Sequence, residues 1–271
     1  MPNTLRVLTL NIWNYNDPWP TRRQLIVNTI KEHNPDIIGF QEIRHSGKKN
    51  DTGKNQAQQL AERLADYVYI FQPAQRNPEK DEWEGLAIFS RLPILGSSFN
   101  ELSVDPSDDR DNHQRILLRA QIQTASGAFN FFNTHLSLSQ KGRIRTTREI
   151  TDYISHYSGD LPSVLVGDFN DTPDQTSIGH ITKTANLIDT WADQNPTDPG
   201  WTFSSQNPYV RDRSSDKRKA HRIDYIFAQP SHTGPGKAIS CRRIADQPDA
   251  DGLYPSDHFG LIAEFSMKGR E

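Results

Sequence analysis

ILLRAQIQ (116–123), TASGA (124–128) and FNFFNTHLS (129–137) are two β-type runs joined by a short turn-forming segment, the pattern of an antiparallel hairpin. The second run ends in a polar cluster, Asn133–Thr134–His135. The same reading extends outward. Toward the N-terminus, RVLTLNIW (6–13), DIIGFQE (36–42), YVYIFQ (67–72) and GLAIFS (85–90) read as strands, the first two buried. Toward the C-terminus come SVLVGDFN (163–170), HRIDYIFA (221–228), AISCRRIA (238–245) and GLIAEFSM (260–267). Helical spacing is found in 21–33, which Pro35 stops, in 55–66, and in the segment carrying Ile150, Tyr153, Ile154 and Tyr157. Many strands with few helices predict an α/β fold of two packed β-sheets flanked by helices. Apolar residues recur to the last strand with no linker or low-complexity stretch, so residues 1–271 are expected to form a single domain.

Composition excludes several classes. AVILMFWYC residues make up 34% of the 271-residue chain and charged residues 24%, and no run of apolar residues is long enough for a membrane span. MPNTLRVLTLNIWN lacks the basic and apolar regions of a signal peptide. Cys241 is the single cysteine and has no internal partner. Together these lead to the expectation of a cytoplasmic protein. The net charge of −3 gives no overall basic footprint for nucleic acid, so any such contact must be local. Aspartate outnumbers glutamate, 24 to 10 within the 34 acids; it suits turns, caps and hard-metal sites.

Polar residues recur where strands end, the usual place of function. They are Asn11; Gln41–Glu42; Asn133–Thr134–His135; Gly167–Asp168–Phe169–Asn170; Arg222–Ile223–Asp224; and Ser256–Asp257–His258. Each has an ordinary reading by itself: Asn11 as the cap of a strand end, Asp168 as an Asx turn, Asp224 as the partner of Arg222 in a structural ion pair. Together they offer oxygen ligands for a hard cation, two imidazoles and two carboxamides, which is what hydrolysis of a phosphate ester needs.

In this order LNIWN, GFQE, NTHL, GDFND, RIDYIF and SDHFG resemble the endonuclease/exonuclease/phosphatase superfamily, over about residues 5 to 265. The resemblance implies a four-layer α/β-sandwich of two mixed sheets, with the site at one end. It implies a divalent-metal-dependent phosphoric ester hydrolase that drives in-line attack of water on phosphorus. Glu42 resembles the main Mg²⁺ ligand, with Asn11 beside it, Asp257 as a further acid near the metal, and Mn²⁺ as a substitute ion. His258 resembles the imidazole that acts as base or polarises the phosphate, and Asp224 the carboxylate that orients it. Asp168 and Asn170 resemble the pair that positions water and phosphoryl oxygens, and His135 a second imidazole for the pentacovalent state or the leaving group.

The expected partner is a phosphate-ester substrate, with nucleic acid or a nucleotide-like diester slightly favoured. A phosphomonoesterase or a phospholipase C or sphingomyelinase-type enzyme is the alternative, and a non-catalytic binding member a third. Trp13 and His135 depart from the abasic-site endonuclease pattern. No aromatic hairpin for membrane entry is visible, and a monomer is expected. Substrate contacts are expected from Trp13 and Tyr15 in the aromatic segment 13–19, from Arg115, and from Arg211 and Arg213 in RDRSSDKRKAHR (211–222). That segment carries six Lys/Arg against two Asp and is expected to clamp a polyanion. Arg44 is a weaker phosphate-binding candidate. In the aromatic segment, at least one of Trp13 and Trp19 is expected to be an anchor under the sheet edge.

Overall fold

The computed structural model describes residues 4–159, 161–211, 219–229, 231 and 235–267. The chain runs β1 (Thr4–Asn11), α1 (Trp19–His33), β2 (Ile37–Ser46), α2 (Gln56–Ala61), β3 (Val68–Asn77), β4 (Glu82–Ser90), β5 (Ile94–Leu102), β6 (Arg115–Thr124), β7 (Gly127–His135), α3 (Gln140–Ser158) and β8 (Ser163–Asp168). It continues with α4 (Thr176–Thr184), β9 (Ile188–Asp189), α5 (Thr190–Gln194), β10 (Phe203–Ser204), α6 (Pro208–Arg211), β11 (Ala220–His221), β12 (Asp224–Ala228), β13 (Pro235–Ile244) and β14 (Gly260–Met267). One six-stranded sheet has the order β13-β14-β1-β2-β4-β3, the other β5-β6-β7-β8-β12-β9. Each is mixed: β1 and β2 are parallel in the first, β7 and β8 in the second, and the other pairs are antiparallel.

Alternation assigns the faces. On β1, Leu5 and Val7 enter the layer between the sheets, while Leu8 and Leu10 pack outward with Ile26, Val27 and Ile30 of α1. On β8, Val164 and Val166 face the first sheet, and Leu165 packs outward with Ile150 and Ile154 of α3 and Ile178 of α4. Three apolar layers therefore separate helix, sheet, sheet and helix, the four-layer sandwich expected from the sequence. The sheets come close at Gly39, where a Cβ would lie 2.5 Å from Val166 Cγ2.

Local departures from the sequence reading have local causes. The 55–66 helix stops at Ala61. Its capping box, Asn55 with Gln58, starts it well, but Arg63 and Leu64 donate to Leu60 and Ala61, so the chain tightens into i→i−3 turns. The 221–228 strand is broken at Arg222–Ile223, which divides β11 from β12. Edge strand β5, ILGSSFNEL, was not anticipated: its alternation is weak and it carries glycine and serine.

Gly167 precedes the last residue of β8 with φ +150°, and a Cβ there would lie 2.1 Å from Thr134 O on the parallel neighbour. Gly167→Ala is expected to cost about 4 kcal/mol or more, since backbone strain and a backbone clash add. Gly96→Ala, whose methyl meets open space, is expected to change stability by less than about 1 kcal/mol. Urea unfolding of both variants reads this difference, and equal stabilities would contradict the close contact at Gly167.

Candidate active site

The inward-facing rows are apolar through the core and turn polar at one end. On β1 the row Leu5, Val7, Thr9 ends in Asn11; on β7, Phe129 and Phe131 lead to Asn133 and His135; on β8, Val164 and Val166 lead to Asp168; on β12, Ala228 and Ile226 lead to Asp224. Strand pairing sets His135 beside Asp168, and Asp168 beside Asp224. The same alternation that builds the core thus gathers these groups at one end of the sandwich.

Asn11, wholly buried, joins the two sheets. Its Nδ2 donates to Glu42 Oε1 at 3.1 Å and to Asp168 Oδ2 at 3.0 Å, and its Oδ1 accepts from Trp13 N at 2.9 Å. One layer deeper, Gln41 Nε2 donates to Asn133 Oδ1 at 2.7 Å, and Asn133 Nδ2 donates to the Phe40 and Ala87 carbonyls at 3.0 Å each. Glu42 sits at a bulge: the β2–β4 register shifts between Phe40 and Ile43, and Glu42 has φ 55°. Such a bulge re-aims a side chain that simple alternation would send elsewhere. Asn14, also at positive φ, donates through Nδ2 to Glu42 Oε2 at 3.0 Å.

Across the cluster, His258 Nδ1 lies 2.9 Å from Asp224 Oδ2. Asp168 Oδ2 lies 3.7 Å from His258 Nε2 and 3.4 Å from His135 Nε2. The Asn170 amide donates to Asp168 Oδ1 at 2.9 Å, and its Nδ2 to the Leu136 carbonyl at 3.0 Å. Ser256 Oγ donates to the Asn11 carbonyl at 2.7 Å, tying Ser256–Asp257–His258 to β1. Asp257 is buried, 4% exposed.

The electrostatics follow from this crowding. Burial, then Glu84 and Asp257, push the Glu42 carboxyl up to about 7. Burial and Asp224 push Asp168 up to about 6. Burial works against a charged His258, but Asp224, Asp168 and Asp257 outweigh it and hold the imidazole well above the usual histidine range. Burial, with Arg115, His258 and His113, pushes His135 well below that range. One imidazole is therefore cationic and the other neutral at neutral pH.

Two arrangements of these donors fit a metal ion. Glu42 and Asp257 are carboxylates that suit a hard divalent ion; the Asn11 carboxamide beside them turns its Nδ2 to Glu42, and its Oδ1, which accepts from Trp13 N, is the atom that could join them. Asp168, Asp224 and His258 also offer ligand atoms within 4.8 Å of one another. In that trio, however, His258 Nδ1 is engaged by Asp224 and its carboxylate neighbours favour a protonated ring, which cannot ligate.

The structure separates the remaining sequence candidates. Trp13 is half-buried beside Tyr209, ring centroids 4.7 Å apart, at the rim next to Asn14. Tyr15 is 2% exposed; its hydroxyl bonds Asn50 and Gln59 and its ring meets Trp19 edge-on, so it packs the loop and cannot stack on substrate. Trp19 is likewise buried and supplies the anchor. Arg44 is neutralised by Glu82 at 3.0 Å and Glu84 at 3.9 Å. Arg222 pairs with Asp189 at 2.7 Å, which leaves Asp224 to His258. Arg115 reaches the His135 side, and its buried Nε has no hydrogen-bond partner. Arg211 ends α6, exposed, and Arg213 lies outside the described residues; of the charged segment, Lys219 lines a cleft with His258.

Two contributors escaped the sequence reading. Arg22 is wholly buried and donates to the Ile12, Trp13, Asn14, Asn16 and Pro255 carbonyls at 2.7–3.3 Å. It binds the loop after Asn11 to the segment before Ser256. Thr202 Oγ1 accepts from the Ile223 and Asp224 amides at 3.1 and 3.2 Å, where β11 and β12 part. Neither leaves a sequence signal, because their partners are distant backbone atoms.

A model of the Endonuclease/Exonuclease/phosphatase family matches residues 8–258. Nocturnin of Drosophila melanogaster is 24% identical over 92% of this chain and 42% of its own length, so the chain spans about two fifths of that relative. Among solved structures, D. rerio TDP2 complexed with a single-strand DNA product superposes with TM-score 0.77 at 18% identity, covering 97% of this chain and 98% of that one. The mannosyl-6-phosphatase Bt3783 of Bacteroides thetaiotaomicron superposes with TM-score 0.70 at 23% identity, covering 96% and 98%. Among the described residues no helix is long and apolar enough to cross a membrane.

The His258–Asp224 contact predicts a pH-dependent effect. A histidine pKa raised by folding contributes stability that is complete below the unfolded value of about 6.5 and is lost as pH rises through the folded value. Asp224→Asn removes the first-ranked raising charge, so the proton on His258 should be released at lower pH. The variant should lose about 2 kcal/mol at pH 6 and less at pH 9. Imidazole NMR titration and denaturation at both pH values test this; an unchanged His258 titration would contradict the pairing.

Proposed function

Because the chain belongs to the endonuclease/exonuclease/phosphatase family of phosphate-ester hydrolases, we propose that residues 1–271 act as one catalytic domain, a divalent-metal-dependent phosphodiesterase acting on nucleic acid or a nucleotide-like diester. The observation that carries the reading is the geometry of His258, bonded to Asp224 and facing Asp168, which Asn11 joins to Glu42. Glu42, Asp257 and Asn11 would hold Mg²⁺, or Mn²⁺ in its place. When bound, such an ion supplies positive charge to the phosphoryl group and orients it.

The protein groups divide the rest of the work. Asp168, raised toward neutral pH, accepts a proton from the attacking water as its oxygen bonds to phosphorus. Asn170 fixes that carboxylate through its backbone amide. The His258 imidazolium lies against the developing charge and provides the proton that the leaving ester oxygen takes as its bond to phosphorus breaks; Asp224 keeps its tautomer and orientation. His135, neutral, offers a hydrogen bond on the opposite side of Asp168. Trp13 and Arg115 border the site as contacts for a ring and a phosphoryl oxygen, and Arg211, exposed at the end of α6, is a candidate contact for a polyanion.

Phosphomonoester hydrolysis is the second reading, favoured by the likeness to a mannosyl-6-phosphatase. A panel with Mg²⁺ or Mn²⁺ separates the two: bis-nitrophenyl phosphate, nitrophenyl phosphate, single-stranded and duplex DNA, RNA and sphingomyelin. Diester turnover is expected, and monoester turnover without it would overturn the leading reading. Glu42→Gln is expected to weaken Mg²⁺ binding about a hundredfold, measured by calorimetry, with the fold retained. Unchanged affinity would remove Glu42 from the metal.

A further inference from the structure

Two clefts adjoin at Thr172 and His221, and the first of them reaches His258. The first, about 330 Å³, is lined by His258, Asn170, Arg143, Lys219 and Arg110. Arg143 pairs with Asp171 at 2.9 Å, so Lys219 and Arg110 leave the cleft positive. The second, about 340 Å³, is walled by Trp201, Pro196, Pro199 and Trp191. Thr172 and His221 line both, so the two clefts are neighbours. The reaction described above uses only the first of them.

The far wall is a built platform. Trp201 is 38% exposed, a large aromatic left open on a cleft. Its loop is held from beneath: Trp191 Nε1 donates to the Asp198 carbonyl at 2.8 Å, the Gly200 amide donates to Asp198 Oδ1 at 2.8 Å, and Asn195 Nδ2 donates to the Cys241 carbonyl at 2.8 Å. Gly200, at φ +65°, lies so close to the Trp191 ring that a Cβ would fall 2.3 Å from it. Arg243 Nη1 donates to the Trp201 carbonyl at 3.1 Å. A surface already ordered loses little entropy when a planar group stacks on it.

The platform is also tied to the chemistry. The residue after Trp201 is Thr202, whose hydroxyl accepts from the Asp224 amide and whose carbonyl accepts from the Phe259 amide at 2.7 Å. Phe203 then bridges to His258 in an isolated antiparallel pair. A ring resting on Trp201 is therefore positioned one residue from the backbone that holds the Asp224–His258 pair.

We propose that the cleft at Trp201 is a second subsite, which binds a heterocyclic base of the substrate, with the cationic stretch at Lys219 and Arg110 taking a phosphate of the same substrate. The ligand class is a nucleotide or short oligonucleotide, with its ring in the Trp201 cleft and its phosphates in the neighbouring cleft that Lys219, Arg110 and His258 line. This rests on the diesterase reading for the scissile end alone; ring binding is independent of turnover.

Calorimetric titration in EDTA tests the subsite without hydrolysis. Trithymidylate is the probe, with tripolyphosphate as a ring-free polyanion. Trp201→Ala is expected to weaken trithymidylate binding about tenfold and tripolyphosphate by less than about twofold, and Trp201→Phe to restore most of the loss. Equal weakening for both probes, no weakening for either, or no binding of trithymidylate by the wild type overturns the subsite. Trithymidylate binding that depends on Trp201, in a protein that hydrolyses no diester with Mg²⁺ present, would instead overturn the diesterase reading and leave the subsite standing.

Discussion

A single buried carboxamide holds the two halves of the site together. Asn11 spends both of its N–H groups on carboxylates from different places, Glu42 on the first sheet and Asp168 on the second, and its oxygen on the backbone of Trp13. The sheets must approach closely for this to happen. Gly39 permits the approach, because a Cβ there would strike Val166 and Asn133 of the facing sheet. Below Asn11, Gln41 and Asn133 repeat the device with neutral partners. A layer of amide groups thus separates the apolar core from the charged end, satisfying polar atoms that burial would otherwise leave costly.

Charge is the second consequence. Glu42, Asp168, Asp224 and Asp257 share a small volume with the cationic His258 and with Arg22, whose donors are all turned toward backbone carbonyls. Burial first, and neighbouring carboxylates after it, raise the carboxyls at Glu42 and Asp168. On the proposed reading a divalent cation held by Glu42 and Asp257 would offset that charge. The two imidazoles are shifted in opposite directions: carboxylates hold His258 up against burial, while burial, and after it Arg115, push His135 down.

Much of this was legible in the sequence, for a reason that the strands make plain. Alternation marks the inward face of β1, β7, β8 and β12, and the polar residue at the end of each inward row is a candidate site residue: Asn11, His135, Asp168, Asp224. Where the backbone leaves that rule, reading stops. Glu42 is aimed by a bulge and a positive φ, and α2 ends early through i→i−3 turns. Tyr15 and Arg44 have the right residue type but belong to packing and to a surface acid pair, which depend on Asn50, Gln59, Glu82 and Glu84 far along the chain. Arg22, Thr202 and the Trp201 platform act through backbone atoms of distant segments, and no local pattern encodes such contacts.

On the proposed reading the cation sits on the Glu42 side of the site, outside the Asp168–Asp224–His258 trio. A crystal soaked in Mn²⁺, with the ion located by anomalous scattering, tests it directly. The expected peak lies about 2–2.5 Å from a Glu42 carboxylate oxygen, with Asp224 still bonded to His258. A peak between Asp168, Asp224 and His258, with Glu42 unligated, would contradict the account.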